Sequence, residues 1–124
     1  MDENDLSGAI IGCGMRVHTA LGPGLLESAY EECLYYELRK KFNVSKQVPL
    51  PLVYEEVELD CVYRLDLIVQ NKVIIEVKSV EAIKPIHSVQ LLTYLKLTNC
   101  KLGLLLNFNV LHLKEGIKRV ANKL

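Results

Sequence analysis

Two short apolar segments joined by a turn restrict the fold of this sequence more than any other feature. Residues 65–69 and 73–77 are apolar on both alternating faces, apart from one acidic residue in each segment. Segments of this kind form the central strands of a sheet that helices cover on both sides. Asn71 lies between them and favours a turn. A central β-hairpin is therefore predicted.

The rest of the chain supplies helices and further strands for such a sheet. We expect helices over about 5–20 and 26–41, separated by the break at residues 22–24, Gly-Pro-Gly. Strands are predicted at 44–54, 58–70, 72–80 and 101–107, with a helix over about 86–98 that opens after Pro85. The C-terminal stretch 113–122 favours either a short edge strand or the start of a helix. We expect one α/β domain over residues 1–124, with a right-handed crossover into the fourth strand.

Composition narrows the class of protein. The 124 residues are half hydrophobic, and 15 Lys and Arg balance 15 Asp and Glu. This balance argues mildly against tight nonspecific binding to nucleic acid, although it does not exclude a local basic surface. The first five residues are acidic where a signal peptide would be basic, and no apolar run approaches a membrane span. We therefore expect a cytoplasmic protein that does not enter the membrane.

The cysteines give no metal or disulfide pattern. Cys13, Cys33, Cys61 and Cys100 are far apart in sequence, and none has the CxxC spacing of a zinc site. We expect four reduced thiols that pack as small hydrophobic side chains.

Charged residues in the predicted central strands need an explanation, because buried charges are costly unless they are paired or coordinated. A three-residue loop about Asn71 places Asp66 directly opposite Glu76, and Lys78 shares a face with Glu76. Two carboxylates this close repel each other unless a cation lies between them. The pattern fits a Mg²⁺ site, with Lys78 placed to orient water or stabilise a phosphoryl transition state. The alternative is a buried ion pair of Lys78 with either acid that serves only the fold.

Two helices carry polar residues that point to the same place. His87, Gln90 and Tyr94 share a face of the third helix, although an outward polar stripe would also explain His87. Glu27 and Tyr30 follow the Gly-Pro-Gly break, where an acid also simply complements the helix dipole. His18, among apolar neighbours, is expected to be a core histidine with a satisfied hydrogen bond.

These residues resemble a known family. Asp66 followed by Glu76-Val77-Lys78 resembles the motif of the PD-(D/E)XK nuclease superfamily, and Gln90 with Tyr94 resembles its Q-x-x-x-Y element. Residues 24–30, Gly-Leu-Leu-Glu-Ser-Ala-Tyr, resemble the defining motif of the GxxExxY proteins within it. The likeness extends through segments over nearly the whole chain: 17–18, 21–24, 47–50, 64–66, 90–95 and 107–109.

The resemblance implies a restriction-endonuclease-like fold with an αβββαβ core, a mixed sheet flanked by helices, and an extra N-terminal helix. It implies that Asp66, Glu76 and the Val77 carbonyl bind Mg²⁺, with Mn²⁺ as a substitute. It also implies a catalytic group formed by Lys78, Glu27, Gln90 and Tyr94.

The function expected from these observations is metal-dependent hydrolysis of phosphodiester bonds in nucleic acid, with DNA favoured. The zero net charge and small size favour an alternative, a catalytically silent module of the same fold that binds nucleic acid or a partner protein. An edge strand near residues 116–120 would further suit a homodimer.

Overall fold

A single mixed sheet of five strands forms the centre of the molecule, in the order β1-β2-β3-β4-β5. In this computed structural model the backbone is described for residues 1–124, and the side chains for all of them except residues 61 and 62. The elements in chain order are α1 Glu3–Leu21, α2 Glu27–Arg39, β1 Val44–Tyr54, β2 Val57–Val69, β3 Val73–Lys78, α3 Pro85–Thr98, β4 Leu102–Asn107, a 3₁₀ turn Leu113–Gly116 and β5 Ile117–Ala121. Strands β3 and β4 are parallel and are joined through α3, whereas all other neighbours are antiparallel.

The predicted elements are confirmed, most of them to within two residues at either end. The C-terminal stretch forms strand β5, which was one of its two predicted structures, and β5 lies at the edge of the sheet. The homodimer expected from such an edge stays a prediction. Among the helices described, none combines the length and apolar character that a membrane span requires.

Apolar side chains cover both faces of the sheet, as the double-faced strands predicted. Val73, Ile75 and Val77 pack on the face covered by α1 and α2, whereas Ile74 packs on the face covered by α3. All six residues of β4 are buried, and five of the six in β3. A charged group on β3 therefore lies in surroundings that strongly disfavour an unpaired charge.

Capping residues stabilise the start of α1 and both ends of α3. The Asp2 side chain caps α1 by accepting a hydrogen bond from the Asp5 N–H at 2.8 Å. Pro85 opens α3, and His87 Nδ1 accepts from the Lys84 N–H at 3.0 Å. Asn99 closes α3 with a φ of 58°. His87 thus has a structural role at the start of α3.

The histidine and cysteines of the core behave as small buried groups. His18 is buried, and its Nε2 lies 2.8 Å from the Val110 carbonyl oxygen, so this nitrogen carries the proton and donates. The expectation of a satisfied core histidine is confirmed. Cys13 and Cys100 are buried and Cys33 is half-buried, all three as free thiols. The Cys61 side chain lies outside the described residues.

Gly103 allows α3 to pack directly against the centre of the sheet. A Cβ atom on Gly103 would lie 2.8 Å from both Cγ and Cδ2 of Leu91. Leu91 is fully buried and has no room to withdraw. Glycine at this strand position therefore sets the distance between β4 and α3, and with it the height of Tyr94 above the sheet.

We expect Gly103→Ala to lower the free energy of unfolding by about 1–3 kcal/mol through overpacking. The matched control is Gly12→Ala on the exposed side of α1, where an added Cβ meets nothing within 4 Å. This control should be stabilising by up to about 1 kcal/mol, because alanine is the better helix former. Urea unfolding of both variants checks the pair, and equal stability of Gly103→Ala and the parent protein would contradict this account of the packing.

Candidate active site

The candidate site lies where the β2–β3 hairpin opens. Backbone pairing joins Val69 to Val73 and ends with Leu67 opposite Ile75. This is the predicted register, and it leads to Asp66 opposite Glu76. At that point the side chains replace the ladder of backbone hydrogen bonds. The Asp66 N–H donates to Glu76 Oε2 at 2.9 Å, and the Val77 N–H donates to Asp66 Oδ2 at 2.8 Å.

Burial disfavours the ionised forms of both Asp66 and Glu76. Glu76 is 6% exposed, and burial raises its pKa to about 8, with the negative charge of Asp66 adding to the shift. Burial also raises the pKa of Asp66 above its usual range, although the Val77 N–H and the Lys78 charge oppose this. Two acids with raised pKa values on facing strands form a site that a cation would stabilise.

Lys78 lies near both acids, but the ion pairs found among the described side chains do not include it. It is half-buried at the end of β3, and its charge lowers the pKa of Asp66 and of Glu76. Among the side chains that the structure describes, the ion pairs join Arg16 or Lys40 to Glu37 and Lys46 to Glu32. The alternative was an ion pair of Lys78 with Asp66 or Glu76 that serves only the fold. The described side chains do not form this ion pair.

The loop before α2 brings Glu27 to the end of β3. Gly24 adopts a φ of +98°, which favours glycine. The buried Tyr30 hydroxyl donates to the Gly22 carbonyl at 2.5 Å and accepts from the Leu25 N–H at 3.1 Å. Glu27 Oε2 then accepts from the Ser79 N–H at 3.2 Å. The glycine and tyrosine of the seven-residue motif thus shape the loop that presents its glutamate.

Glu27 contributes charge to the site from a more exposed position. Its negative charge raises the pKa of Asp66, after the larger effect of burial. Ser79 ties the same loop to β3 a second time, because its hydroxyl donates to the Leu25 carbonyl at 2.6 Å. The structure therefore brings Asp66, Glu76 and Lys78 together, and it places Glu27 at the end of β3, where its charge affects Asp66.

Sequence reasoning missed Glu31. It lies one turn after Glu27 on α2, and the Gln47 side-chain amide donates to both of its carboxylate oxygens at 2.9 Å. Burial raises the pKa of Glu31, and the negative charge of Asp66 adds to this effect. The four-residue spacing of Glu27 and Glu31 was the signal that could have found it, since such residues share a helix face.

Gln90 and Tyr94 lie on the opposite side of the site, on α3. Tyr94 is 6% exposed, and its pKa is raised by burial and by the negative charges of Glu76 and Asp66. Gln90 is exposed, and the two residues line one cavity of about 180 Å³. Tyr94 is thus close to the acids, whereas Gln90 is placed by the cavity that it lines with Tyr94 and Tyr63.

The end of β3 is held firmly from β4. Buried Asn107 accepts from the Val80 N–H at 3.1 Å and donates to the Val80 carbonyl at 3.0 Å. The Phe108 N–H donates to the Lys78 carbonyl at 3.0 Å. These bonds fix the backbone around Lys78, so the lysine projects from a rigid strand end.

The donor set fits a hard divalent cation. Asp66 and Glu76 each use one carboxylate oxygen for a backbone N–H, and carboxylate oxygen is the ligand that Mg²⁺ prefers. Among the described side chains, no three of His, Cys, Asp or Glu are arranged together as a complete metal-binding group.

The comparisons with known proteins agree with this geometry. A model of the PD-(D/E)XK nuclease superfamily matches residues 4–120. The chain belongs to the PD-(D/E)XK nuclease superfamily. The observed order of elements therefore confirms the predicted restriction-endonuclease-like fold, with α1 as the extra N-terminal helix and β5 as an addition at the other end. No curated protein and no solved structure gives a significant match. The narrower likeness to the GxxExxY proteins stays a prediction.

The raised pKa of Glu76 predicts how the stability of the metal-free protein responds to pH. The folded protein holds this proton up to a pKa of about 8, whereas the unfolded chain loses it near 4.5. Stability should therefore fall as the pH rises from about 4.5 to about 8, by up to about 5 kcal/mol from this group. We expect Glu76→Gln to remove most of this dependence in denaturant unfolding.

The matched control is Glu58→Gln, an exposed acid on β2 that should leave the pH dependence unchanged. Added Mg²⁺ should stabilise the parent protein more at pH 8 than at pH 5, because protons compete for the same oxygens. The contrary result is a free energy of unfolding that changes with pH in the same way for Glu76→Gln and for the parent protein over this range. That result would show that burial of an acid at position 76 does not cause the pH dependence of stability.

Proposed function

We propose that the chain is a divalent-metal-dependent endonuclease that hydrolyses phosphodiester bonds in nucleic acid, with DNA the favoured substrate. The observation that carries this proposal is the pairing of buried Glu76 with half-buried Asp66, beside Lys78, for which no ion pair is found among the described side chains. A permanent structural network would pair the lysine, because an unpaired charge in this position is costly. Membership of a nuclease superfamily supports the same chemistry.

Mg²⁺ is the proposed cofactor, with Mn²⁺ as a substitute, and Asp66, Glu76 and the Val77 carbonyl are its proposed ligands. When bound, it would supply charge against the scissile phosphate and lower the pKa of a bound water. Burial is the largest cause of the raised pKa of both acids, and a bound cation would offset it by stabilising their ionised forms.

Lys78 is the proposed group that acts on the reacting atoms. Its ammonium carries three N–H donors and no acceptor, so it suits the negative oxygens of a phosphate or an attacking water. In the reaction a water oxygen forms the new bond to phosphorus and loses a proton to solvent, the bond to the leaving oxygen breaks, and the leaving oxygen takes a proton from solvent. Lys78 would hold the developing negative charge during this exchange.

The helix-borne groups complete the proposed site. Glu27, which approaches β3 at Ser79, would accept a hydrogen bond from water on the α2 side. Tyr94 and Gln90 would line the α3 side, where Tyr94 lies within the electrostatic influence of both acids. Glu31 would hold Gln47 and the bend of β1 against Asp66. We also propose a cytoplasmic location and one functional unit over residues 1–124.

Cleavage of supercoiled plasmid and of single-stranded DNA and RNA tests the proposal. We expect cutting that requires Mg²⁺ or Mn²⁺ and falls at least about 100-fold in Asp66→Asn and in Lys78→Met. The controls are Asp5→Asn and Lys72→Met, since both residues are exposed and lie outside the site. These should cut at the parental rate.

A chain that leaves every substrate intact in either metal, while still binding DNA, would be the catalytically silent module instead. The zero net charge of the chain is the observation that favours this second function.

A further inference from the structure

The β1–β2 ribbon extends beyond the rest of the sheet and reaches over the candidate site. Strand β2 pairs with β1 along nearly its whole length, from Val69 opposite Val44 to Val57 opposite Tyr54. It pairs with β3 only across residues 67–69. The remainder of the ribbon therefore projects past Asp66, and it faces the side of α3 that carries Tyr94.

A small aromatic cavity lies between this ribbon and α3. Leu52 and Tyr63 of the ribbon form one wall, and Gln90, Tyr94 and Leu97 of α3 form much of the other. The cavity measures about 180 Å³, the scale of one planar ring and not of a duplex. The Tyr63 and Tyr94 rings lie 6.3 Å apart at an angle of 56°, and Tyr63 is 38% exposed. A partly exposed aromatic side chain, Tyr63, thus lines this cavity together with one polar amide, Gln90.

The charges of the ribbon restrict what enters this cavity. No Lys or Arg occurs between residues 48 and 63, whereas Glu55, Glu56, Glu58 and Asp60 are all exposed there. Phosphate groups would be repelled along this surface. An uncharged, planar, apolar-faced group would not be repelled.

The cavity lies next to the candidate active site through Tyr94. The Tyr94 side chain lines the cavity and belongs to the same packed cluster as Leu65, which precedes Asp66, and Ile74, which lies two residues before Glu76 on the same strand. The negative charges of both acids also raise the pKa of Tyr94, after the larger effect of burial. A group held here would therefore be adjacent to whatever the acids and Lys78 act upon. The group in this cavity must be uncharged and planar, and it must lie next to the reacting phosphate. In a nucleic acid, the base attached beside that phosphate meets both conditions.

We propose that this cavity binds a single unpaired nucleobase beside the phosphate that is cut, with Tyr63 as its stacking surface and Gln90 as a hydrogen-bonding group for its edge. Stacking on an aromatic ring tolerates every base, so the site selects strand state and not sequence. A base within a duplex cannot reach such a cavity without leaving the stack. The preferred substrate is therefore single-stranded DNA or an unpaired segment of a duplex. This inference rests on the proposed nuclease function of the adjoining acids.

Binding and cleavage can be tested separately. The binding assay uses the Asp66→Asn protein and a single-stranded oligonucleotide that contains 2-aminopurine, whose fluorescence falls when it stacks. We expect quenching with this protein, and affinity about 5- to 100-fold weaker when Tyr63→Leu is added. Tyr63→Phe should restore quenching and affinity, because it keeps the ring.

Tyr54→Leu is the matched control, since Tyr54 is a more exposed tyrosine of the same ribbon that does not line the cavity. It should leave affinity unchanged. Gln90→Leu provides a second variant on an exposed helix face and should weaken binding without loss of folding. Thermal unfolding of each variant verifies that it folds.

The cleavage assay compares the parent protein and Tyr63→Leu on single-stranded and duplex DNA of one sequence. We expect the parent to prefer the single strand and Tyr63→Leu to lose most of that preference. If both proteins cut both substrates equally, the base site is overturned and the nuclease function stands. If nothing is cut but quenching still depends on Tyr63, the nuclease function fails and the base site stands. Absence of quenching in the binding assay overturns the base site directly.

Discussion

The exchange of hydrogen bonds between Asp66 and Glu76 determines how the central hairpin of this protein ends. Each carboxylate accepts from a backbone N–H of the opposite strand, at 2.9 Å and 2.8 Å, where a continuous ladder would have used carbonyl oxygens. The hairpin therefore opens into a polar site without leaving these buried N–H groups unsatisfied. This arrangement raises the pKa of both Asp66 and Glu76, so their ionised forms are disfavoured. A bound cation would stabilise the ionised forms.

The surrounding elements hold this opening in place. Tyr30, stacked on Phe108 at 4.6 Å, ties the loop that leads Glu27 to Ser79. Asn107 holds the backbone after Lys78 from the other side. A catalytic arrangement requires rigid support of this kind, because small displacements of the reacting groups strongly lower the reaction rate. Several residues that look functional by motif, Tyr30 above all, thus act by positioning.

Much of the fold was predictable because local signals and burial agree. The double-faced apolar segments identified β2 and β3 as central, and the turn at Asn71 set their register, so the meeting of Asp66 and Glu76 followed from spacing alone. Glu27 stood out because it follows a Gly-Pro-Gly break, but its place in the site was implied by the family resemblance. The sequence could not show that Lys78 avoids a fixed ion pair, since this depends on side-chain placement in three dimensions.

Other parts of the site depend on contacts distant in sequence. Glu31 becomes a site residue only because β1 bends at Gln47, which adopts a φ of 50°. Tyr63 reaches Tyr94 only because the β1–β2 ribbon projects past β3. Alternation of apolar residues along a strand reports its faces and not its bending, so it does not indicate that Gln47 contacts Glu31 or that Tyr63 contacts Tyr94.

The central claim is that Asp66 and Glu76 bind a divalent cation between the opened strands. A crystal structure of the protein grown with Mn²⁺ tests it most directly, through the anomalous signal of the metal. The account predicts an anomalous peak within about 2.3 Å of oxygens from both carboxylates. Crystals that contain Mn²⁺ but show no such peak, with both acids still hydrogen-bonded only to backbone N–H groups, would contradict it.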